Sequence, residues 1–323
     1  MLTIDGARLE GGGQLVRTAV ALSALTGREI TIGHIRAGRE KPGLSAQHIA
    51  AVRAVATLCR ASCTGLSKGS STLTFLPGKL EASEAFIEVG TAGSIPLVLQ
   101  AWLPAALRTG GAITVTGGTE VPYSPTIDYF EHLTCRALCG QGAIIEVSVD
   151  ARGYFPVGGG RVTVRVSPAE IRPFDLTSPE TEPCGIISCS ANLPRHVTER
   201  QAKSAAEAFD FPVSLDSREG PGTGSSCTVF QGFKGGTALG KRGLPAEEVG
   251  ATAAGDLRDA LLKPGCLDSH LADQLAVMVA IFGGRYTTSE PSMHLRTVLW
   301  LLREFGFDLS LSEIADGLWE VSA

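Results

Sequence analysis

Residues 85–106 read AFIEVGTAGSIPLVLQAWLPAA: a strand-sized apolar run (Ala85–Val89), a glycine-bearing turn (Gly90–Ser94), and a helical stretch from Ser94 to Ala106. Downstream come strand Ala112–Thr116, the loop GGTEVPYSP (117–125), helix Thr126–Cys139, and strands Ile144–Val149 and Arg161–Val166. The order is βαβαββ. It occurs first from Leu2, with helix Gln14–Thr26, strand Ile30–Ile35, helix Ser45–Cys59, and short strands at Cys63–Leu66 and Thr72–Leu76. It returns in the tail as helix Leu271–Phe282, strand Arg285–Thr288, helix His294–Phe305, and strands Phe307–Leu311 and Leu318–Val321. The opening strand of this third unit is expected within Ala169–Leu176.

The interval 182–265 has its own run of strands and helices, so it is expected to form a smaller α+β domain inserted into a large domain of residues 1–181 and 266–323. Two glycine-rich loops, GPGTGSS (220–226) and FKGGTALGKRG (233–243), mark its irregular side. The fold class is therefore α+β. Three such units can pack with helices inside, bringing helix N-termini toward one another, and converging N-termini make an anion site.

The chain has 323 residues, 44% of them hydrophobic and 19% charged, enough to bury a substantial core. Its net charge of −5 excludes a general nucleic-acid coat but not a local basic cleft. No apolar stretch has the length of a membrane span and no basic leader opens the chain, so a soluble, cytoplasmic protein without membrane partners is expected. The eight cysteines have neither CxxC spacing nor well-placed histidines, and are read as reduced thiols.

Chemistry concentrates at the starts of helices. Glu10-Gly-Gly-Gly-Gln14-x-x-Arg17 sets an acid before a flexible turn, then an amide and a guanidinium one turn apart. Arg36, Arg39 and Lys41 lie just before a helix N-terminus, where three cations are costly unless an anion resides there. Gln100 is a lone amide in an apolar helix and must bond something. His294 opens the last long helix, where the positive dipole end favours neutral imidazole, and the internal repeat aligns it with His48 and Asp128. No GxxxxGK[ST] run exists, which excludes a P-loop.

Taken together, EGGGQLVR (10–17), IRAGREKPGLSAQH (35–48), GTAGSIPLVLQ (90–100), GGTEVPYSP (117–125), GYFPVGGG (153–160), LPRHVTER (193–200), HLADQL (270–275) and PSMHLRT (291–297) resemble the RNA 3′-terminal phosphate cyclase family along nearly the whole chain. The resemblance implies three βαβαββ units, similar to half of an enolpyruvyl transferase, with an inserted domain. It implies an ATP-dependent enzyme that turns an RNA 3′-phosphate end into a 2′,3′-cyclic phosphate, with His294 taking AMP from ATP. Gln100 and the segment His270, Leu271, Ala272, Asp273 and Gln274 are then nucleotide contacts, Glu10 goes with a divalent cation (Mg²⁺ or Mn²⁺), and Gln14, Arg17, Arg36, Arg39, Gln47 and His48 line the pocket. The family often carries an aromatic residue at the place of His270, where this chain has an imidazole. The alternative is an inactive, ribosome-assembly relative, which lacks the histidine matched by His294. An enolpyruvyl transferase is disfavoured because it has two comparable domains. Oligomeric state, a homodimer included, stays open.

Overall fold

The structure is a computed structural model that describes residues 1–323. In the first unit β1 (Leu2–Asp5) and β2 (Ile30–Gly33) pair directly as parallel strands, connected by α1 (Gly13–Thr26). Helix α2 (Ala46–Cys59) leads to β3 (Ser62–Thr64) and β4 (Leu73–Leu76), giving sheet order β1-β2-β4-β3. The second unit has β5 (Glu84–Glu88), α3 (Ile95–Thr109) and β6 (Gly111–Gly117). Its second helix starts as α4 (Ile127–Tyr129), widens into π-type turns over Phe130–Cys135 and ends as α5 (Arg136–Gly140). Strands β7 (Ile144–Ala151) and β8 (Gly160–Ser167) complete the order β5-β6-β8-β7.

After β9 (Phe174–Leu176) come β10 (Cys184–Ala191), α6 (His196–Ala206), β11 (Val213–Arg218), β12 (Gly224–Gln231), β13 (Lys234–Leu239) and α7 (Ala246–Leu262), with a sheet of their own ordered β11-β10-β12-β13. The third unit then resumes with α8 (Ser269–Phe282), β14 (Gly284–Thr288), α9 (Met293–Glu304), β15 (Ser310–Ala315) and β16 (Leu318–Ser322). Its order, β9-β14-β16-β15, repeats that of the other two sheets.

Each helix start has a local cause. Ser94 accepts from the Leu97 amide (3.2 Å), Asp268 from Leu271 (2.8 Å), and Ser292 from Leu295 (2.9 Å), each capping an otherwise orphaned N–H. Along α3 nearly every residue from Ile95 to Leu107 is buried, and α1 and α8 are nearly as enclosed. Helices covered on all sides sit inside; strands such as β2 and β4, buried on alternate residues, have one face toward them.

Two expected boundaries move. The apolar run after α9 is a helix terminator rather than a strand: Gly306 (φ 89°) turns the chain, Phe307 N–H bonds the Leu302 carbonyl (3.0 Å), and pairing begins only at Ser310. The third unit's first strand shortens to Phe174–Leu176, where it meets Gly284–Tyr286 of β14.

The sheet of residues 184–239 is covered on both faces. Ile186, Cys227 and Val229 join Leu257 of α7 and Ala202 of α6 in a separate ten-residue apolar cluster, whereas Ile187, Cys189 and Phe230 belong to the main core. No helix is long and apolar enough to cross a membrane. All eight cysteines are free thiols.

Leu257→Ala opens the smaller cluster, and a buried Leu→Ala costs about 2–5 kcal/mol. Hydrogen exchange is expected to quicken in β10, β12 and α7 while α1 and α3 keep their protection; equal loss throughout would show that the two clusters unfold as one unit.

Candidate active site

A cleft of about 730 Å³ opens between the helical centre and the β13 and α7 side of the inserted segment. Its inner wall brings together Gln14, Arg17, Gln100, Asp273, Gln274 and His294, and His270 joins them at the start of α8. Four separate helices supply these residues, so the cleft exists only in the folded chain.

The turn before α1 is glycine because nothing larger fits. A Cβ on Gly12 would fall on the Glu10 carboxylate, and one on Gly13 would enter the His48 imidazole. The Glu10 carboxylate is thereby held at the cleft edge. One oxygen is paired with Arg39; the other, Oε2, is buried without a hydrogen bond and lies 3.7 Å from Nδ1 of His294. The Glu10 amide and the Thr297 hydroxyl (3.4 Å) further link this turn to α9.

His294 is the second residue of α9 and about half exposed (50%). Burial, then the positive charges of Arg17, His270 and Arg39, hold its pKa below the ordinary 6.5. The ring is therefore neutral at pH 7. Counted from the N-cap, Asp128 is likewise second in α4, but in α2 that place belongs to Gln47 and not to His48. The internal alignment thus shifts by one residue there.

Burial also lowers Arg17, to about 10, and no carboxylate offsets it. A largely buried guanidinium with no ion pair, in the second turn of α1, is a strong anion seat. Beside it, Gln14 Oε1 and Gln100 Nε2 are buried polar atoms without partners. Asp273 is pushed up to about 7 by burial, against the hydrogen bond from Ser292 Oγ (2.6 Å). On this inner wall Gln14 Oε1 and Gln100 Nε2 are left unanswered by the protein itself, while Asp273 and Gln274 each accept one side-chain hydrogen bond.

Seven expected residues are not on that wall, Glu10 and Arg39, paired with each other beside His294, among them. Gln47 accepts the Ser94 amide (2.8 Å) and so splices α2 to α3, while Arg36 donates to the Gly43 carbonyl (2.9 Å) within its own loop. His48 is buried, its Nδ1 accepting from the Ser45 amide (3.1 Å), and burial with Arg17 and Arg36 depresses it to about 3. Leu271 and Ala272 point into the apolar core. Helix periodicity explains the last pair: only Asp273 and Gln274 of that segment, with His270 a turn earlier, face the opening.

Other residues escaped the sequence reading. Asp268 caps α8 and takes both a Tyr129 hydroxyl bond (2.7 Å) and the Gly235 amide (2.9 Å), joining three elements at the cleft floor. The pattern Asp268-Ser-His before a helix was a readable cap signal. Asp256 and Asp259 of α7, with Lys263 just past its end, line the far side, placed there by packing that no local signal announces. Asp128, aligned with His294 by the internal repeat, receives two bonds from buried Arg152 (both 2.9 Å), which also reaches Glu120 and Asp216 (2.7 Å each). Burial works against Arg152's charge, but Asp128 and Glu120 overcome it and hold it protonated.

The chain matches a family model described as RNA 3′-terminal phosphate cyclase over residues 8–308. Proteins named RNA 3′-terminal phosphate cyclase from Methanosarcina barkeri (43% identity, 100% of this chain and 99% of the relative), Archaeoglobus fulgidus (41%, 94% and 95%) and Thermococcus kodakarensis (43%, 94% and 92%) are similar along essentially their full lengths.

Arg17→Met removes a largely buried charge that has no partner, so the free protein is expected to gain stability, by roughly 1 kcal/mol. Millimolar pyrophosphate is expected to raise the melting temperature of the parent and to leave that of the variant unchanged. A destabilised variant that still responds to pyrophosphate would show that Arg17 supports the fold and not an anion.

Proposed function

The chain belongs to the RNA 3′-terminal phosphate cyclase family, and from that premise we propose that it converts an RNA 3′-phosphate into a 2′,3′-cyclic phosphodiester at the expense of ATP, by way of AMP carried on His294. The observation that carries this reading is a neutral, half-exposed histidine at a helix N-terminus, facing a cleft whose Arg17, Gln14 and Gln100 await an anionic, hydrogen-bonding ligand.

The Glu10 carboxylate lies on the Nδ1 side of the ring, which favours the Nδ1–H tautomer and leaves the Nε2 lone pair as nucleophile. Nε2 attacks the α-phosphorus of ATP; the N–P bond forms as the bond to pyrophosphate breaks. Arg17 neutralises phosphate charge, and Asp273 and Gln274 with Gln100 supply acceptors and donors to the nucleotide. An oxygen of the RNA 3′-phosphate then takes AMP from Nε2, restoring neutral histidine. Last, the adjacent 2′-hydroxyl attacks the RNA phosphorus, loses its proton to solvent and expels AMP. Being intramolecular, that step asks mainly for orientation, and only RNA has the hydroxyl.

A divalent cation fits the orphaned Oε2 of Glu10. No three ligating side chains converge anywhere in the chain, so Glu10 would hold the ion together with substrate oxygens. Its chemistry there is charge neutralisation on the phosphates. Arg39, ion-paired with Glu10, keeps that carboxylate in place. We assign residues 182–265 to a small domain inserted into a larger one of residues 1–181 and 266–323, the cleft lying where the two meet.

The test is conversion of a 3′-phosphorylated RNA into a phosphatase-resistant end. His294→Ala is expected to lose this by at least about 10³-fold, the scale of a missing nucleophile, yet to cyclise an RNA whose 3′-phosphate is already adenylated. Undiminished conversion by the variant would remove His294 from the mechanism. In pH dependence, a lowered histidine pKa keeps the reactive form present down through pH 7, so adenylation should fall only below pH 6.5 as the ring takes a proton. A fall centred above pH 7 would contradict a depressed His294.

A further inference from the structure

The loop 117–125 forms the rim of the cleft and is tightly held. Glu120 is fully buried, hydrogen-bonded by Arg152 (2.7 Å) and by Thr119; Thr126 caps the helix that follows, and prolines stand at 122 and 125. From the middle of this loop Tyr123 projects with its side chain fully exposed (104%) while lining the cleft mouth. Its backbone is left-handed, φ 63°, a conformation that disfavours a bulky residue. An aromatic ring that packs on nothing, carried on strained backbone by a rigid loop, serves no folding purpose.

It is not alone. The neighbouring turn at 154–158 is tied to this loop by a β-bridge between Glu120 and Tyr154 and by a bond from the Phe155 amide to the Glu120 carbonyl (3.4 Å). That turn exposes Phe155 (61%) and Val157 (58%). Tyr123 thus lines the cleft mouth, and the adjoining turn carries Phe155 and Val157 on the surface next to it, whereas the inner wall holds Arg17, Gln14, Gln100 and Asp273.

We propose that Tyr123 is the stacking platform for the terminal nucleobase of the RNA, and that Phe155 extends it to the preceding base, so that the enzyme takes an unpaired, single-stranded 3′ end. The inference rests on the RNA reading of the cleft given above. Flat aromatic faces bind unpaired bases of any sequence. The polar inner wall suits a nucleotide taken wholly into the cleft, while a ring turned to solvent at the rim suits a polymer that continues outward. A terminal base on Tyr123 lets the attached 3′-phosphate point inward toward His294.

Two measurements test this. In the first, equilibrium binding of a fluorescent single-stranded RNA with a 3′-phosphate is measured without ATP, for the parent and for Tyr123→Ala, Tyr123→Gly and Tyr123→Trp. Glycine relaxes the left-handed backbone, so loss in both Ala and Gly reports the ring and not the strain. Kd should rise about tenfold for Ala and Gly, the scale of one lost base stack, and less than twofold for Trp. With an abasic terminal nucleotide, parent and Tyr123→Ala should bind alike. An unchanged Kd in Tyr123→Ala, or a tenfold difference that persists on the abasic RNA, overturns the proposal.

In the second, the KM for ATP is read from self-adenylation without RNA. A tenfold rise in Tyr123→Ala would assign the ring to the adenine of ATP and overturn the proposal as well; a change under twofold is expected. A parent that fails to adenylate itself defeats the proposed function, and the binding experiment still decides Tyr123.

Discussion

Enclosure of the helices is the constraint on which the rest depends. Three sheets of one strand order cover helices that also cover one another, so α1, α3 and α8 have little solvent-facing surface. Inside such a centre a polar side chain is costly unless it finds a partner. Gln14, Arg17, Gln100 and Asp273 nevertheless sit on these helices, and all four open onto the same cleft. The fold tolerates them there because the inserted segment stands off from the helices and leaves a space that a ligand can fill.

The electrostatics follow from the same enclosure. Burial does most to lower the His294 pKa, and the charges of Arg17, which lacks a carboxylate, of His270 and of Arg39 lower it further. Glu10 is the counterweight: it pairs with Arg39, approaches the other side of the His294 ring and retains one free oxygen. Around the His294 ring positive charge therefore exceeds negative. Arg152 performs a different task with the same chemistry: its three carboxylate partners lie on the rim loop, on α4 and on β11, so it clamps the second unit to the inserted segment.

Much of this was legible in the sequence because it is local. The βαβαββ order is written in period and glycine turns, and the caps Ser94 and Ser292 stand where helices begin. Gln14, Arg17, Gln100 and His294 were readable as polar residues in places that demand a reason. What was not legible depends on packing between distant segments. The role of Gln47 as a splice between α2 and α3, the burial of His48 behind Gly13, and the approach of α7 to the cleft are long-range facts with no local signature. Phe307 misled because an apolar residue after a helix-ending glycine looks like the start of a strand.

The most direct measurement is the site of nucleotide attachment. Protein incubated with α-labelled ATP and Mg²⁺, denatured and digested, should yield one labelled peptide, containing His294, whose bond is cleaved by mild acid and survives alkali as a phosphoramidate does. Label on a peptide lacking His294, or an acid-stable bond, would contradict the account.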